Sequence, residues 1–342
     1  DNLEDELGTP DLDLILPKLV LIYSHKNHQI TLISTLSEYK QKFSSIHAEL
    51  KGSYTYQHRV RNIGDDKGSY AHSKSKFFDM IDKSKEMIKS GDVFQILMTN
   101  RFTRKIKVDA FSFYRILRTK NPSPYMFYIK MKDLELIGSS PEVMVKVDNG
   151  NINVRPIAGT RKRGSTTEED ELLAKELLSD PKELAEHIML LDLGRNDVGS
   201  VSQYDSVSID EKMVIEKYSH VMHITSSVSG KLRGDKNAFD GLRACLPAGT
   251  LSGAPKVRAM EIIDELEQTR RGPYGGAVGY INFSGDINTC ITIRTIVLKN
   301  GKDAYIQAGA GIVADSIPEM EYQETLNKAK GLLRAIEVAE RI

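Results

Sequence analysis

Strand-like segments that follow one another across turns of only two residues constrain this chain most. Asp148-Asn149-Gly150-Asn151 and Asn300-Gly301 place Asn-Gly between apolar runs, and that pair readily supplies the left-handed residues of a tight hairpin. A strand can follow so closely only by running back beside its predecessor. A parallel neighbour needs a crossover of a dozen residues or more. Antiparallel sheets in an α+β chain are therefore expected, rather than repeated βαβ units.

Further strands are expected at 12–23 and 29–34, joined at Lys26-Asn27, and at 93–103, 277–283, 289–299 and 304–307. Helices are expected at 38–49, from Ala71 to Ser90-Gly91, and at 110–120, 168–179, 255–271 and 318–342, with another opened by Asp180-Pro181. The polar, glycine-containing stretch 51–70 reads as a linker that cannot bury enough apolar area to hold itself. It would separate a short region, 1–50, from a main domain, 71–342. The 47 basic and 47 acidic side chains cancel, and no basic patch stands out to attract nucleic acid. No run reaches the roughly 18 apolar residues of a membrane span. Two cysteines are too few to staple a fold of this size, so a reducing, cytoplasmic location is expected.

Chemistry-bearing residues fall into a few groups. Glu183 with Glu186, and Glu321 with Glu324, stand three apart near helix starts, so each pair shares a helix face. Together they could take a hard cation such as Mg²⁺. Acidic residues there also cap helices and complement their dipoles, and spacing alone does not choose between the two roles. Glycine-rich 272–279 and 307–311 lack the third glycine, the helix and the distant acid of a dinucleotide site. They fit either close approach of backbone amides to an anion or glycines at strand ends. His220 and His223 have no third ligand at zinc spacing, which leaves an acid–base role or a core position. Arg294 interrupts an apolar strand opposite to Ile291, Ile293 and Val297, facing solvent or an anion. Ser252 lacks both glycines of a nucleophile elbow.

Eight ordered segments, read together, resemble the chorismate-utilising enzymes, in particular anthranilate synthase large subunits. They are Asp92-Val93-Phe94-Gln95, Pro122 to Tyr125, Ser139-Ser140-Pro141-Glu142, Pro156 to Arg161, Ala185-Glu186-His187 through Asp197, Tyr218 to His223, Gly249 to Lys256, and Gln307 to Glu324. The resemblance implies a four-layer α/β/β/α sandwich with two antiparallel sheets. It implies Mg²⁺ touched by Glu186 and Glu324, with Glu183 and Glu321 acting through water. The cation would hold the ring carboxylate of chorismate. Arg294, Tyr274 and the amides around Gly309 and Gly311 would take the enolpyruvyl carboxylate.

The implied reaction adds ammonia at C2 as the C4 hydroxyl leaves, then eliminates pyruvate to give an aromatic ring. Glu142 matches the acid for the first step and His223 the group for the second, with Gly159 and Thr160 beside the ring. Ammonia would come from a separate glutamine amidotransferase subunit. Isochorismate synthases carry a lysine where this chain has Gln95, and aminodeoxychorismate synthases one where it has Ala158. A non-catalytic relative would have lost some of the glutamates or His223, and none is lost. The resemblance also implies a preceding stretch with a Leu-Leu-Glu-Ser motif that helps bind tryptophan. The chain opens at Asp1-Asn2-Leu3-Glu4, so a truncated N-terminal region and loss of tryptophan inhibition are expected.

Overall fold

The computed structural model describes residues 3–218 and 221–341. Two compact units divide the chain: Gly8–His58, and the chain up to Leu7 taken together with everything from Arg59 onward. The smaller unit holds a two-stranded antiparallel ribbon, Val20–Ser24 with Gln29–Ile33, and the helices Ser37–Lys40 and Phe43–Lys51.

The larger unit is built on two seven-stranded sheets. Sheet A runs Gly253–Ala254, Gln95–Lys105, Asp303–Ile312, Thr295–Lys299, Leu134–Ser140, Tyr125–Lys130, with Ser69–Tyr70 also on Gln95–Lys105. Sheet B runs Ser208–Lys217, Val221–Lys231, Asn151–Val154, Val143–Asp148, Ile287–Ile291, Ala277–Ile281, with Ile157–Lys162 also on Val221–Lys231. Every pairing is antiparallel. Both Asn-Gly turns do what their residues suit them for: Asn149 and Gly150 have φ of 49° and 76°, Asn300 and Gly301 of 54° and 67°.

Alternation along each strand decides what the faces meet. In Asp303–Ile312, Ala304, Ile306 and Ala308 join Phe113, Leu117, Leu332 and Ile336 of the helices Ala110–Lys120 and Pro318–Arg341. Ala310 and Ile312 meet Phe77, Met80, Ile81 and Ile262 of Lys74–Lys89 and Lys256–Leu266. On sheet B, Val145, Val147, Ile152 and Val228 pack on Leu191 and Val198 of Pro181–Val201 and on Ala238 and Cys245 of Ala238–Cys245. Leu177 of Thr167–Ser179 meets Met222 and Ile224. Between the sheets, Leu134, Leu136 and Val297 of sheet A pack against Val278 of sheet B. Helices outside and sheets inside make the expected α/β/β/α sandwich. No described helix is long and apolar enough to cross a membrane.

The stretch 51–70 is not a simple connector. From Arg59 onward it belongs to the larger unit, held by backbone hydrogen bonds that need no apolar burial. Arg61 N donates to Lys107 O at 2.7 Å, and Ser69–Tyr70 pairs with Thr103 and Phe102. At the chain's start Leu7 is buried in the inter-sheet cluster. The boundary around 1–50 therefore moves to Gly8 and His58.

Candidate active site

Two strands cross between the sheets side by side. Leu134–Ser140 leaves sheet A through Pro141-Glu142 to become Val143–Asp148 of sheet B. Ile287–Ile291 leaves sheet B through Thr292-Ile293-Arg294 to become Thr295–Lys299 of sheet A. The single strand expected over 289–299 is thus two strands, because Arg294 takes a left-handed φ of 50° that breaks the pleat. Hydrogen bonds lock the crossings together: Ile291 N to Glu142 O at 2.9 Å, Ser139 N to Arg294 O at 3.1 Å, and Ser140 Oγ to Ile291 O at 2.6 Å.

The crossings bring a buried acid and a cation together. Burial pushes the Glu142 carboxyl up to about 7, against the opposing pull of the Thr250 hydroxyl and the charges of Lys328 and Arg294. Thr250 Oγ1 donates to Glu142 Oε1 at 3.1 Å. Burial lowers Arg294, while Tyr274, Glu324 and Glu142 act to raise it. The Arg294 side chain makes no hydrogen bond or close ion pair among the described residues. The glycine loop that carries Tyr274 is tied to the same crossing, with Gly275 N on Thr292 O at 3.0 Å and Thr292 N on Gly276 O at 2.8 Å. Burial pushes the Tyr274 hydroxyl up to about 12, so this phenol remains a neutral donor.

Ile157–Lys162 pairs with Val221–Lys231, Thr160 opposite His223 and Ala158 opposite Ile224. Gly159 is the extra residue of this bulge, with φ 74°. Its carbonyl lies 3.1 Å from His223 Nδ1, and Thr160 Oγ1 lies 3.0 Å from the same nitrogen. A carbonyl only accepts, so the network assigns the proton to Nδ1 and leaves the Nε2 lone pair open. Burial lowers the His223 pKa, which favours the neutral ring. Tyr218 meets the ring edge-on, 5.4 Å between centroids. His220 lies outside the described residues.

Asp180 caps Pro181–Val201, accepting from Lys182 N and Glu183 N, with proline in the first turn. That fixes Glu183 and Glu186 at the start of the helix. Gln95 Nε2 donates to Glu186 Oε1 at 3.0 Å. Burial raises Glu186, and so do the negative charges of Glu183 and Glu324. Burial likewise raises Glu321, with Glu324 adding to it. Across the two helices, then, the negative charge of Glu324 acts on Glu186. Arg161 holds Glu183 at 3.1 Å, and Lys328 holds Glu324 at 2.5 Å while donating to Gly309 O at 3.0 Å. Gly309 and Gly311 lie in the last part of the strand Asp303–Ile312, Gly311 next to its final residue. A Cβ on Gly311 would stand 2.4 Å from Gln95 Nε2, so glycine there makes room for the amide that touches Glu186.

Among the described residues no group of three or more His, Cys, Asp or Glu side chains forms a metal cage. The donors are nonetheless all carboxylate oxygens, and the buried Gln95 Oε1 beside them has no partner. This suits a cation such as Mg²⁺, which keeps much of its water and takes one or two carboxylates. The sequence alone gives Lys328, Arg161 and Thr250 no role of their own. Arg161 and Thr250 lie in two of the resembling segments, and Lys328 stands four residues after Glu324 on the same helix face. Ser252, by contrast, is buried with its hydroxyl on Ala248 O at 3.0 Å, a structural role.

A family described as chorismate binding enzyme matches residues 1–334. The chain is 50% identical to anthranilate synthase component 1 of Acetivibrio thermocellus, over 99% of its own length and 72% of that protein. It is 47% identical to the same component of Aquifex aeolicus, over 99% and 71%. The crystal structure of anthranilate synthase component I from Streptococcus pneumoniae superposes with a TM-score of 0.89 at 42% identity, covering 97% of this chain and 76% of that one. The menaquinone-specific isochorismate synthase of Escherichia coli, at 20% identity and TM-score 0.76 over 90% and 72%, shares the fold. The chain belongs to the chorismate-binding enzyme family, beside the anthranilate synthase component 1 proteins.

Proposed function

We propose that this chain converts chorismate and ammonia to anthranilate and pyruvate by way of aminodeoxyisochorismate. The observation that carries the proposal is the pairing of a protonatable buried carboxyl, Glu142, with a neutral histidine, His223, both within reach of the charges of Arg294 and Lys328. Ammonia bonds to C2 as the C4–O bond breaks. Glu142 gives its proton to the departing oxygen, which leaves as water, and the new ammonium sheds one proton. His223 Nε2 then takes the C2 proton. The C–H electrons complete the aromatic ring, the C3–O bond breaks, and the enolpyruvyl group leaves as pyruvate enolate, protonated at its methylene carbon.

Chorismate is a dianion, and its two carboxylates need cations kept apart. Arg294, with the Tyr274 hydroxyl and the backbone around Gly309 and Gly311, suits the enolpyruvyl carboxylate. Thr160, whose hydroxyl proton is free while it neighbours His223 Nδ1, suits a hydrogen bond at the ring. Glu186 and Glu324 would hold Mg²⁺, with Glu183 and Glu321 nearby, and the bound cation would neutralise the ring carboxylate. A neutral, buried Gln95 cannot deprotonate water, which favours ammonia over water as nucleophile. Burial raises the thiols of Cys245 and Cys290 to about 12 and about 11, so neither is an ionised nucleophile for glutamine. That supports ammonia delivery by a separate glutamine amidotransferase subunit, in the cytoplasm.

Incubation with chorismate, Mg²⁺ and ammonium should produce anthranilate fluorescence, with one pyruvate per anthranilate by chromatography. Isochorismate or 4-amino-4-deoxychorismate as the main product would overturn the assignment.

A further inference from the structure

The Arg161 guanidinium serves four acceptors. Nε donates to Glu176 Oε1 at 3.1 Å, Nη1 to Thr160 O at 3.0 Å and to Glu183 Oε1 at 3.1 Å, and Nη2 to Asp180 Oδ2 at 2.7 Å. Glu176 lies in the last turn of the helix Thr167–Ser179, Asp180 joins it to the next, and Glu183 lies in the first turn of Pro181–Val201. Only a planar fork of donors can hold such a set, and an ammonium cannot. On its other side Glu183 is packed against the bulge, since a Cβ on Gly159 would stand 3.1 Å from Glu183 Oε2. Glu183 is thus tied by Arg161 and crowded by the bulge, while the hydrogen bond to Glu186, one turn on, comes from the Gln95 amide.

We infer that Arg161 is a positioning residue that keeps Glu183 out of the cation's coordination and so sets the site's preference for Mg²⁺ over larger cations. The inference rests on the reading above that Glu186 and Glu324 hold Mg²⁺. Mg²⁺ is small, dehydrates reluctantly and is satisfied by one or two carboxylates, whereas Ca²⁺ takes six to eight oxygens and gains from each added carboxylate. A freed Glu183 would supply a third anionic ligand beside Glu186. The same contact fits the lack of a three-carboxylate cage among the described residues, since Arg161 retains Glu183. Were Arg161 merely a pin between two helices, ion preference would not depend on it.

The test is direct binding of Mg²⁺ and of Ca²⁺ to the metal-free full chain by calorimetry. In Arg161→Gln the ratio of Ca²⁺ to Mg²⁺ affinity should rise by about tenfold. Glu176→Gln removes another arm of Arg161 but frees no residue near the cation, and should leave the ratio unchanged. Adding Glu183→Gln to Arg161→Gln should restore it, because the gain must run through that carboxylate. A ratio unchanged in Arg161→Gln, or a shift that persists in the double variant, overturns the inference while the Mg²⁺ assignment stands. No Mg²⁺ binding by the unaltered chain overturns both. Should Arg161→Gln not fold, Glu183→Gln alone decides: it should cost less Mg²⁺ affinity than Glu186→Gln, and an equal or greater loss refutes the restraint.

Discussion

Glu142 owes its chemistry to a crossing that leaves the residue only 8% exposed, with its carboxyl next to a threonine hydroxyl. Desolvation disfavours the charged form, so the proton stays on until pH about 7. Its role needs that proton. The amination step should therefore be lost as pH rises through about 7 and retained below it, the direction opposite to that of a carboxylate base. Glu142→Gln keeps the shape and the acceptor for Thr250 but has no acidic proton. It should cut amination by about 10²–10⁴-fold and abolish the limb near neutrality, as a pH–rate profile would show. Unaltered pH dependence in that variant would place the acid elsewhere. His223 acts later in the sequence. His223→Gln should let aminodeoxyisochorismate accumulate while chorismate is still consumed, and chromatography of quenched reactions separates this from a block at the first step.

At the scale of elements, the site depends on how short loops are fastened. Arg163 donates to both oxygens of Asp170, at 3.1 and 2.9 Å from Nε, and to Tyr218 O at 2.7 Å from Nη1. One ion pair thereby ties the start of Thr167–Ser179 to Tyr218, just past the strand Ser208–Lys217 that pairs with the strand of His223. The Arg163 hydrogen bond, with Gly164 N, holds the Asp170 carboxyl down at about 2 against its ordinary 3.8. A depressed pKa contributes stability above the ordinary value, lost as pH falls through the folded one. Asp170→Asn should thus unfold at lower urea than the unaltered chain between pH 7 and 5, with the gap narrowing as pH falls below about 4 toward about 2. A gap independent of pH would assign the effect to packing. Much of this scale was legible in the sequence. Asp180-Pro181 and the Asn-Gly turns act locally, and local residues fix them. The break at Arg294 was not, since Ile291 to Val297 is apolar enough for one buried strand. Only the neighbouring crossing at Glu142 makes two sheets of it. The contacts of Arg161 with Glu183 and of Thr250 with Glu142 are illegible for the same reason, spanning 22 and 108 positions.

Across the whole molecule the two compact units differ in how they are held. In the larger one, side chains such as Phe77, Phe113, Ile137 and Met222 are fully buried. No residue from Gly8 to His58 is buried, and Leu12 and Leu16 are 69% and 72% exposed. A two-stranded ribbon with no buried face is marginal in water, so its backbone opens with little cost. The residues before it are anchored differently: Leu7 is buried, Arg101 pairs with Glu6 at 3.0 Å, and Arg270 N donates to Glu4 O at 3.0 Å. Every candidate site residue lies after Arg59. Limited proteolysis should therefore cut first between Gly8 and His58, and amides of 20–33 should exchange far faster than those of Gln95–Lys105 or Asp303–Ile312. The nicked protein should retain ammonia-dependent formation of anthranilate, because the cut severs nothing that holds Glu142, His223 or the glutamates. Mass spectrometry of the fragments alongside the assay decides it. First cuts inside the sheets, or activity falling in step with cleavage at 8–58, would show that the small unit carries part of the catalytic fold.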